Sequence, residues 1–215
     1  MPRLLVATSN PGKLAEIREI LQHLPVETST LRDLRRVPEP EETGVTFAEN
    51  ARLKALYYAA ATDVSPHTAP PPPEFTVAED SGLVIDALGG EPGVRSARFL
   101  QPHATYPERF SEIYRRLNEA RPRAWDARFV CALAVVRAGT VVYETTGTIE
   151  GRIADGPSGT GGFGYDPIFY HPLSGRTLAE MSESAKARIS HRGEAFRRLA
   201  DWLAPHLQAN PVGRT

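Results

Sequence analysis

At 215 residues, 41% hydrophobic and 24% charged, the chain has the make-up of a globular protein, which excludes a solvated, disordered polymer. Its 25 Lys+Arg against 26 Asp+Glu leave a net charge of −1, so the basic footprint of a phosphate-backbone binder is missing and nucleic acid is not an expected partner. The single Cys131 cannot form an internal disulfide, no run approaches the ~18 apolar residues of a membrane span, and the N-terminus shows no signal-peptide pattern; a cytoplasmic protein with no membrane partner is expected.

In chain order, "RLLVA" at residues 3–7 reads as a buried strand, and Leu14, Ile17, Leu21 and Leu24 share one face of a following helix. A second helix is predicted over 46–61, with Phe47, Leu53, Leu56 and Ala60 inward and Thr46 with Glu49 forming a capping box. Residues 64–75, "VSPHTAPPPPEF", contain four successive prolines, which favour polyproline II and forbid helix. The segments on either side are too short to fold alone, so this is an exposed loop inserted in one domain spanning 1–215. "TVAEDSGLVIDALGG" reads as strand, turn, strand, and "YPERFSEIYRRLNEA" as a helix. Two β-rich runs flank "AGT" as a hairpin, and Phe196, Leu199, Leu203 and Leu207 mark a last amphipathic helix. Helices interleaved with strands, one pair of them antiparallel, give an α/β fold with a mixed sheet.

Lysine is scarce. Only Lys13, Lys54 and Lys186 stand among the 25 basic residues, and each lies beside a polar cluster. Lys and Arg differ in shape and hydration, so a lysine retained in an arginine-rich chain suggests a site where a planar fork does not fit. Lys13 closes the strand-to-helix loop "TSNPGK", where Ser9 or Asn10 can cap, Pro11 suits the first turn and Gly12 admits a ligand to the backbone. Free N–H groups and the helix dipole at such a point suit phosphate. It is not a Walker A loop, and its plainer reading is a capped turn.

Carboxylates cluster twice, as Glu39, Glu41 and Glu42 in "EPEETG" and as Glu79 and Asp80 in "AEDSG". Hard divalent cations take one or two carboxylates plus substrate phosphates, so the two clusters could converge on a Mg²⁺-bound polyphosphate. Alone, "EPEE" would be a solvated turn. Adjacent carboxylates between apolar strands are costlier and call for a facing cation. No HExxH or CxxC spacing points to zinc. "GTGGFG" matches a dinucleotide fingerprint literally, but Pro167 follows and no helix opens, so Phe163 and Tyr165 read better as a ring-stacking ledge on a glycine-rich loop. His191 and Arg192, just before the last helix, can donate to a base carbonyl. A G-x-S-x-G elbow for serine hydrolysis is absent.

Taken together, "ATSNPGK", "EETGVTFAENARLKA", "EDSGL" with "LGGEPGVRSARF", "GTGGFGYDPIF" and "KARISHRGEAF" resemble, nearly end to end and in order, the inosine/xanthosine triphosphate pyrophosphatase family of house-cleaning enzymes. The resemblance implies an elongated mixed sheet flanked by helices, two lobes with a central active-site cleft, and a homodimer. It implies Mg²⁺-dependent hydrolysis of ITP, dITP or XTP to the monophosphate and pyrophosphate. Thr8, Ser9, Asn10, Pro11, Gly12, Lys13 and Lys54 would hold the phosphates. Asp80 would be general base and metal ligand, with Glu41 or Glu42 completing the metal site and Glu79 standing where many relatives have Asp. Ser81, Phe163, Gly164, Tyr165, Asp166, Lys186, His191 and Arg192 would hold the nucleotide. Two other readings are a nucleotide sensor without catalysis and a pyrophosphatase for other modified nucleotides.

Overall fold

The computed structural model describes residues 1–34, 37–63, 73–101, 103–120 and 125–208, so most of the proline-rich stretch, 64–72, lies outside the described residues. Strand β1 (Arg3–Val6) leads into helix α1 (Pro11–Leu21), followed by β2 (Glu27–Thr30), α2 (Phe47–Asp63) and β3 (Phe75–Ile85). Helix α3 (Tyr106–Glu119), strands β4 (Asp126–Arg137), β5 (Thr140–Ile153), β6 (Phe169–His171) and β7 (Arg176–Thr177), and helices α4 (Glu183–Ile189) and α5 (His191–Gln208) complete the chain.

The seven strands form one sheet in the order β2-β1-β3-β4-β5-β6-β7. β1 pairs in parallel with β2 and β3, whereas β5–β6 and β6–β7 are antiparallel, which makes the sheet mixed and the fold α/β. Among the described residues no helix is long and apolar enough to cross a membrane.

Two compact units divide the chain: Met1–Asp80, Ala132–Thr146 and Gly193–Thr215 in the first, Ser81–Cys131 and Gly147–Arg192 in the second. In the first unit, Leu5, Ala7 and Ala78 of the β1–β3 region and Ala132, Ala134 and Val136 of β4 pack against Ala51, Ala55, Tyr58 and Ala59 of α2. The inward face of α2 therefore differs from the expected one: Leu56 is 38% exposed, and alanines at i, i+4 and i+8 are buried in its place. Small side chains let the helix axis approach the sheet closely, which brings the short reach of Asn50 and Lys54 to β3. The Thr46–Glu49 capping box forms as expected, with Glu49 N–H donating to Thr46 Oγ1 at 3.2 Å and Glu49 Oε2 accepting from Thr46 N–H at 3.1 Å.

In the second unit, Leu83 and Ile85 of β3, Phe110, Ile113 and Leu117 of α3, and Phe129, Ile149 and Phe169 of the later strands share one core. β3 is continuous from Phe75 to Ile85, where the sequence suggested a turn at Ser81–Gly82. The polar "EDSG" stays extended because its carboxylates find cations, not water. His191 and Arg192 are the first residues of α5, not residues ahead of it.

β4 and β5 are joined by Ala138 and Gly139, both at positive φ (48° and 73°), the conformation of a type I′ hairpin turn. Asn tolerates the left-handed region better than Ala and Asn-Gly is the preferred pair. Ala138→Asn is therefore expected to raise unfolding free energy by about 0.5–1 kcal/mol, seen as a higher urea midpoint at constant slope.

Candidate active site

Asn10 caps α1: its Oδ1 accepts the N–H groups of Gly12 and Lys13 at 2.9 and 3.2 Å. Pro11 occupies the first helical turn as expected. With the helix start so fixed, Lys13 extends its ammonium to Glu79, 2.6 Å from Oε1, and the Glu79 side chain is only 2% exposed. One residue further along β3, Asp80 receives two donors from α2. Lys54 Nζ lies 3.1 Å from Oδ1, and Asn50 Nδ2 donates to Oδ2 at 3.1 Å. Lys54 also donates to Glu42 Oε1 at 2.6 Å. Asn50, fully buried, uses its other amide atom to accept the Gly44 N–H at 2.8 Å, which ties the acidic loop to the helix. A Cβ on Gly44 would lie 2.6 Å from Asn50 Oδ1, so only glycine fits there.

The three carboxylates Glu42, Glu79 and Asp80 outnumber the two ammonium groups. Burial pushes the Asp80 carboxyl above its ordinary value of 3.8; Lys54 opposes the shift and Glu42 reinforces it. Burial works to lower Lys54, but Asp80, Glu42 and Glu79 outweigh it and hold the ammonium above its ordinary 10.5. Among the described residues no group of three or more His, Cys, Asp or Glu side chains makes a self-sufficient metal cage. Glu42 and Asp80 nevertheless converge on one cation, Lys54. Two hard oxygen donors fit a divalent cation that completes its shell with water and phosphate. Of the remaining candidates, Thr8 Oγ1 accepts from the Asn10 N–H at 3.2 Å, Ser9 Oγ donates to Glu39 at 2.7 Å, and Glu41 is exposed.

The second unit carries its own cluster. Lys186 Nζ donates to Asp166 Oδ2 at 2.7 Å, both side chains nearly buried, and the same oxygen accepts the Phe163 N–H at 2.8 Å. Gly162 has φ +68°, and a Cβ there would strike Asp166 Oδ2 at 2.1 Å. Lys186 Nζ and Arg192 Cζ stand 4.6 and 5.5 Å from the Phe163 ring centroid, so both cations face one half-buried ring. Arg192 Nη2 donates to Ser81 Oγ at 3.0 Å, and His191 stacks on Phe129 at 4.9 Å with an interplanar angle of 11°. Gly164 takes φ +67°. Tyr165, expected beside Phe163 on a stacking ledge, is 3% exposed, with its hydroxyl donating to the Ser96 carbonyl at 2.8 Å. Only Phe163 of the two presents a ring as a ledge. Ser96 and Phe129 carry no local sequence signal, whereas Asn50, four residues before Lys54, is visible in the sequence only as that lysine's polar neighbour.

The model of the Ham1 family matches residues 4–202. The chain belongs to the Ham1 family. A relative from Exiguobacterium sp. named dITP/XTP pyrophosphatase is 41% identical, the match covering 96% of this chain and 99% of that one. One of the same name from Thermus thermophilus is 43% identical, over 93% and 90%. Among solved Ham1 structures, that from Coxiella burnetii is 38% identical with a TM-score of 0.85, covering 95% of this chain and 100% of that one. A nucleoside-triphosphatase from Mycobacterium abscessus, also titled dITP/XTP pyrophosphatase, is 37% identical with a TM-score of 0.71, over 92% and 98%.

The carboxylate–lysine cluster of the first unit gives two substitutions of opposite sign. Folded Asp80 holds its proton to higher pH than the unfolded chain does, so stability falls as pH rises from the ordinary carboxylate range through the raised folded value. With chelator present at pH 7, Asp80→Asn is expected to raise the urea midpoint, and the gain should shrink as pH falls. Lys54→Met strands two carboxylates and is expected to lower stability by about 3–5 kcal/mol in the same measurement.

Proposed function

We propose that this chain hydrolyses non-canonical purine nucleoside triphosphates such as ITP, dITP and XTP to the monophosphate and pyrophosphate, clearing deaminated purines from the nucleotide pool. The observation that carries the reading is Asp80: a buried carboxylate fixed by Lys54 and Asn50, with Glu42 on the same ammonium, in a chain of the Ham1 family. In this reading residues 1–215 act as one domain of two lobes, in the cytoplasm, as a homodimer.

The triphosphate tail goes to Lys13, Lys54 and the loop Thr8–Gly12. Glu42 and Asp80 hold Mg²⁺, with Glu79 close by; Glu41 is the alternative ligand to Glu42. When bound, Mg²⁺ supplies Lewis-acid neutralisation of the phosphoryl oxygens. Asp80 takes the proton of the attacking water, a role that burial favours by raising the carboxylate's affinity for protons. The water oxygen bonds to phosphorus as the anhydride bond between the α and β phosphates breaks, and pyrophosphate leaves. Lys13 and Lys54 take up the charge that develops on the equatorial oxygens. No covalent intermediate is needed.

Phe163 stacks on the purine, while Ser81, Asp166, Lys186, His191 and Arg192 surround it and Gly164 and Tyr165 hold the loop. Donors aimed at a 6-oxo group meet a second donor in adenine, and each buried polar group left unpaired costs about 1–3 kcal/mol.

A panel scored by pyrophosphate release tests this. ITP, dITP and XTP should turn over, ATP should be slower by at least about tenfold, and excess chelator should stop the reaction. Asp80→Asn should cut kcat by about 10²–10⁴. A panel in which only modified pyrimidine triphosphates release pyrophosphate, or none does, ends the proposal.

A further inference from the structure

Arg109 lies in the first turn of α3 and is 5% exposed, yet among the described residues no carboxylate pairs with it. Its Nε is buried without a hydrogen-bond partner. A desolvated guanidinium without a counter-ion is costly, so its surroundings must offset the charge by other means. They are aromatic. Its Cζ stands 4.9 Å from the centroid of Tyr106, and its charge bears on the buried phenol of Tyr165. Tyr165 in turn meets Tyr106 edge-to-face at 5.3 Å and Phe110 at 6.1 Å. Tyr106, Arg109 and Phe110, spaced i, i+3 and i+4, thus form one helical face closed around Tyr165. Because the Tyr165 O–H is committed to the Ser96 carbonyl at 2.8 Å, its oxygen lone pairs are what it can offer a cation.

Tyr165 is two residues from Phe163. The segment between Gly159 and Asp166 has three glycines at positive φ, at 159, 162 and 164, so its backbone has little rigidity of its own. Two anchors hold the Phe163–Asp166 turn. One is Asp166, which accepts the Phe163 N–H and the Lys186 ammonium. The other is Tyr165 in the grip of α3. We propose that Arg109 is a positioning residue for Phe163: by fixing Tyr165 between Tyr106 and the Ser96 carbonyl, it sets the height and tilt of the ring on which the substrate's base stacks. This rests on the reading that Phe163 stacks on a purine. Arg109 touches no substrate in this scheme.

The test separates base placement from general loosening by using a ligand that has no base. Arg109→Met is expected to raise KM for ITP about tenfold, the scale of one lost base–aromatic stack, with kcat within about twofold. The inhibition constant of inorganic tripolyphosphate should not move, and the melting temperature should stay within about 3 °C, since an apolar side chain replaces a buried charge. Arg109→Lys, which keeps charge but not the fork, should move KM in the same direction by a smaller factor and serves as the readout if the Met variant does not fold. An unmoved KM for ITP, or equal losses for ITP and tripolyphosphate, overturns the proposal. Phe163→Ala, run alongside, distinguishes the failures. If it raises KM and the Arg109 variants do not, only Arg109's role falls; if it leaves KM unmoved, the stacking reading falls and takes this one with it.

Discussion

Every lysine in the chain neutralises a buried carboxylate. Lys13 meets Glu79, Lys54 meets Asp80 and Glu42, and Lys186 meets Asp166. Two of those carboxylates are neighbours in the middle of β3, where a charged pair without cations would force the strand out to water. The path of β3, the docking of α2 and the start of α1 are therefore coupled through ion pairs as much as through apolar packing. An ammonium suits these points because it is a compact charge with three donors that can serve two carboxylates at once, as Lys54 does; a guanidinium of fixed fork geometry would demand more room.

The same arrangement explains why stability and chemistry pull apart. In the first unit three carboxylates face two ammonium groups, and burial raises the proton affinity of Asp80. A fold selected for stability alone would replace this cluster with apolar side chains of similar volume. Its retention, with Asn50 spending both amide atoms on holding Asp80 and Gly44, is the signature of a site organised for reaction. In the second unit Lys186 and Arg192 both face the half-buried Phe163 ring, and Arg109 is buried among aromatic rings.

Much of this was legible in the sequence, for reasons that differ by element. The α/β class, α1, α3 and the Thr46–Glu49 capping box follow from periodicity and local hydrogen bonding, which are short-range. The lysines were visible as an anomaly of composition. The inward face of α2 was not legible, because hydrophobicity favours Leu53 and Leu56 over alanine, whereas close packing against a sheet favours alanine. Continuity of β3 was also hidden: "EDSG" has turn chemistry locally, and only Lys13 and Lys54, 66 and 26 residues away, cancel it. Tyr165 looked like a ledge residue beside Phe163, yet neighbours in an irregular loop point differently, and Ser96, whose carbonyl takes its hydroxyl, belongs to a distant turn. Long-range partners of this kind leave no local signal.

The ion pairs described here also constrain how a polyanion could bind. Ser9 and Lys54, which the proposed reading gives to phosphate, are engaged by Glu39 and Glu42, and Lys13 by Glu79. A triphosphate carries more negative charge than one divalent ion removes, so it cannot simply be added beside these carboxylates. It must either displace them from the lysines or arrive with a cation that takes them over. The second route conserves charge: a divalent cation held by Glu42 and Asp80 would leave Lys54 available to the phosphates. Metal and nucleotide would then bind with positive coupling, each lowering the electrostatic cost of the other, and Lys54 would be the group whose change of partner links them.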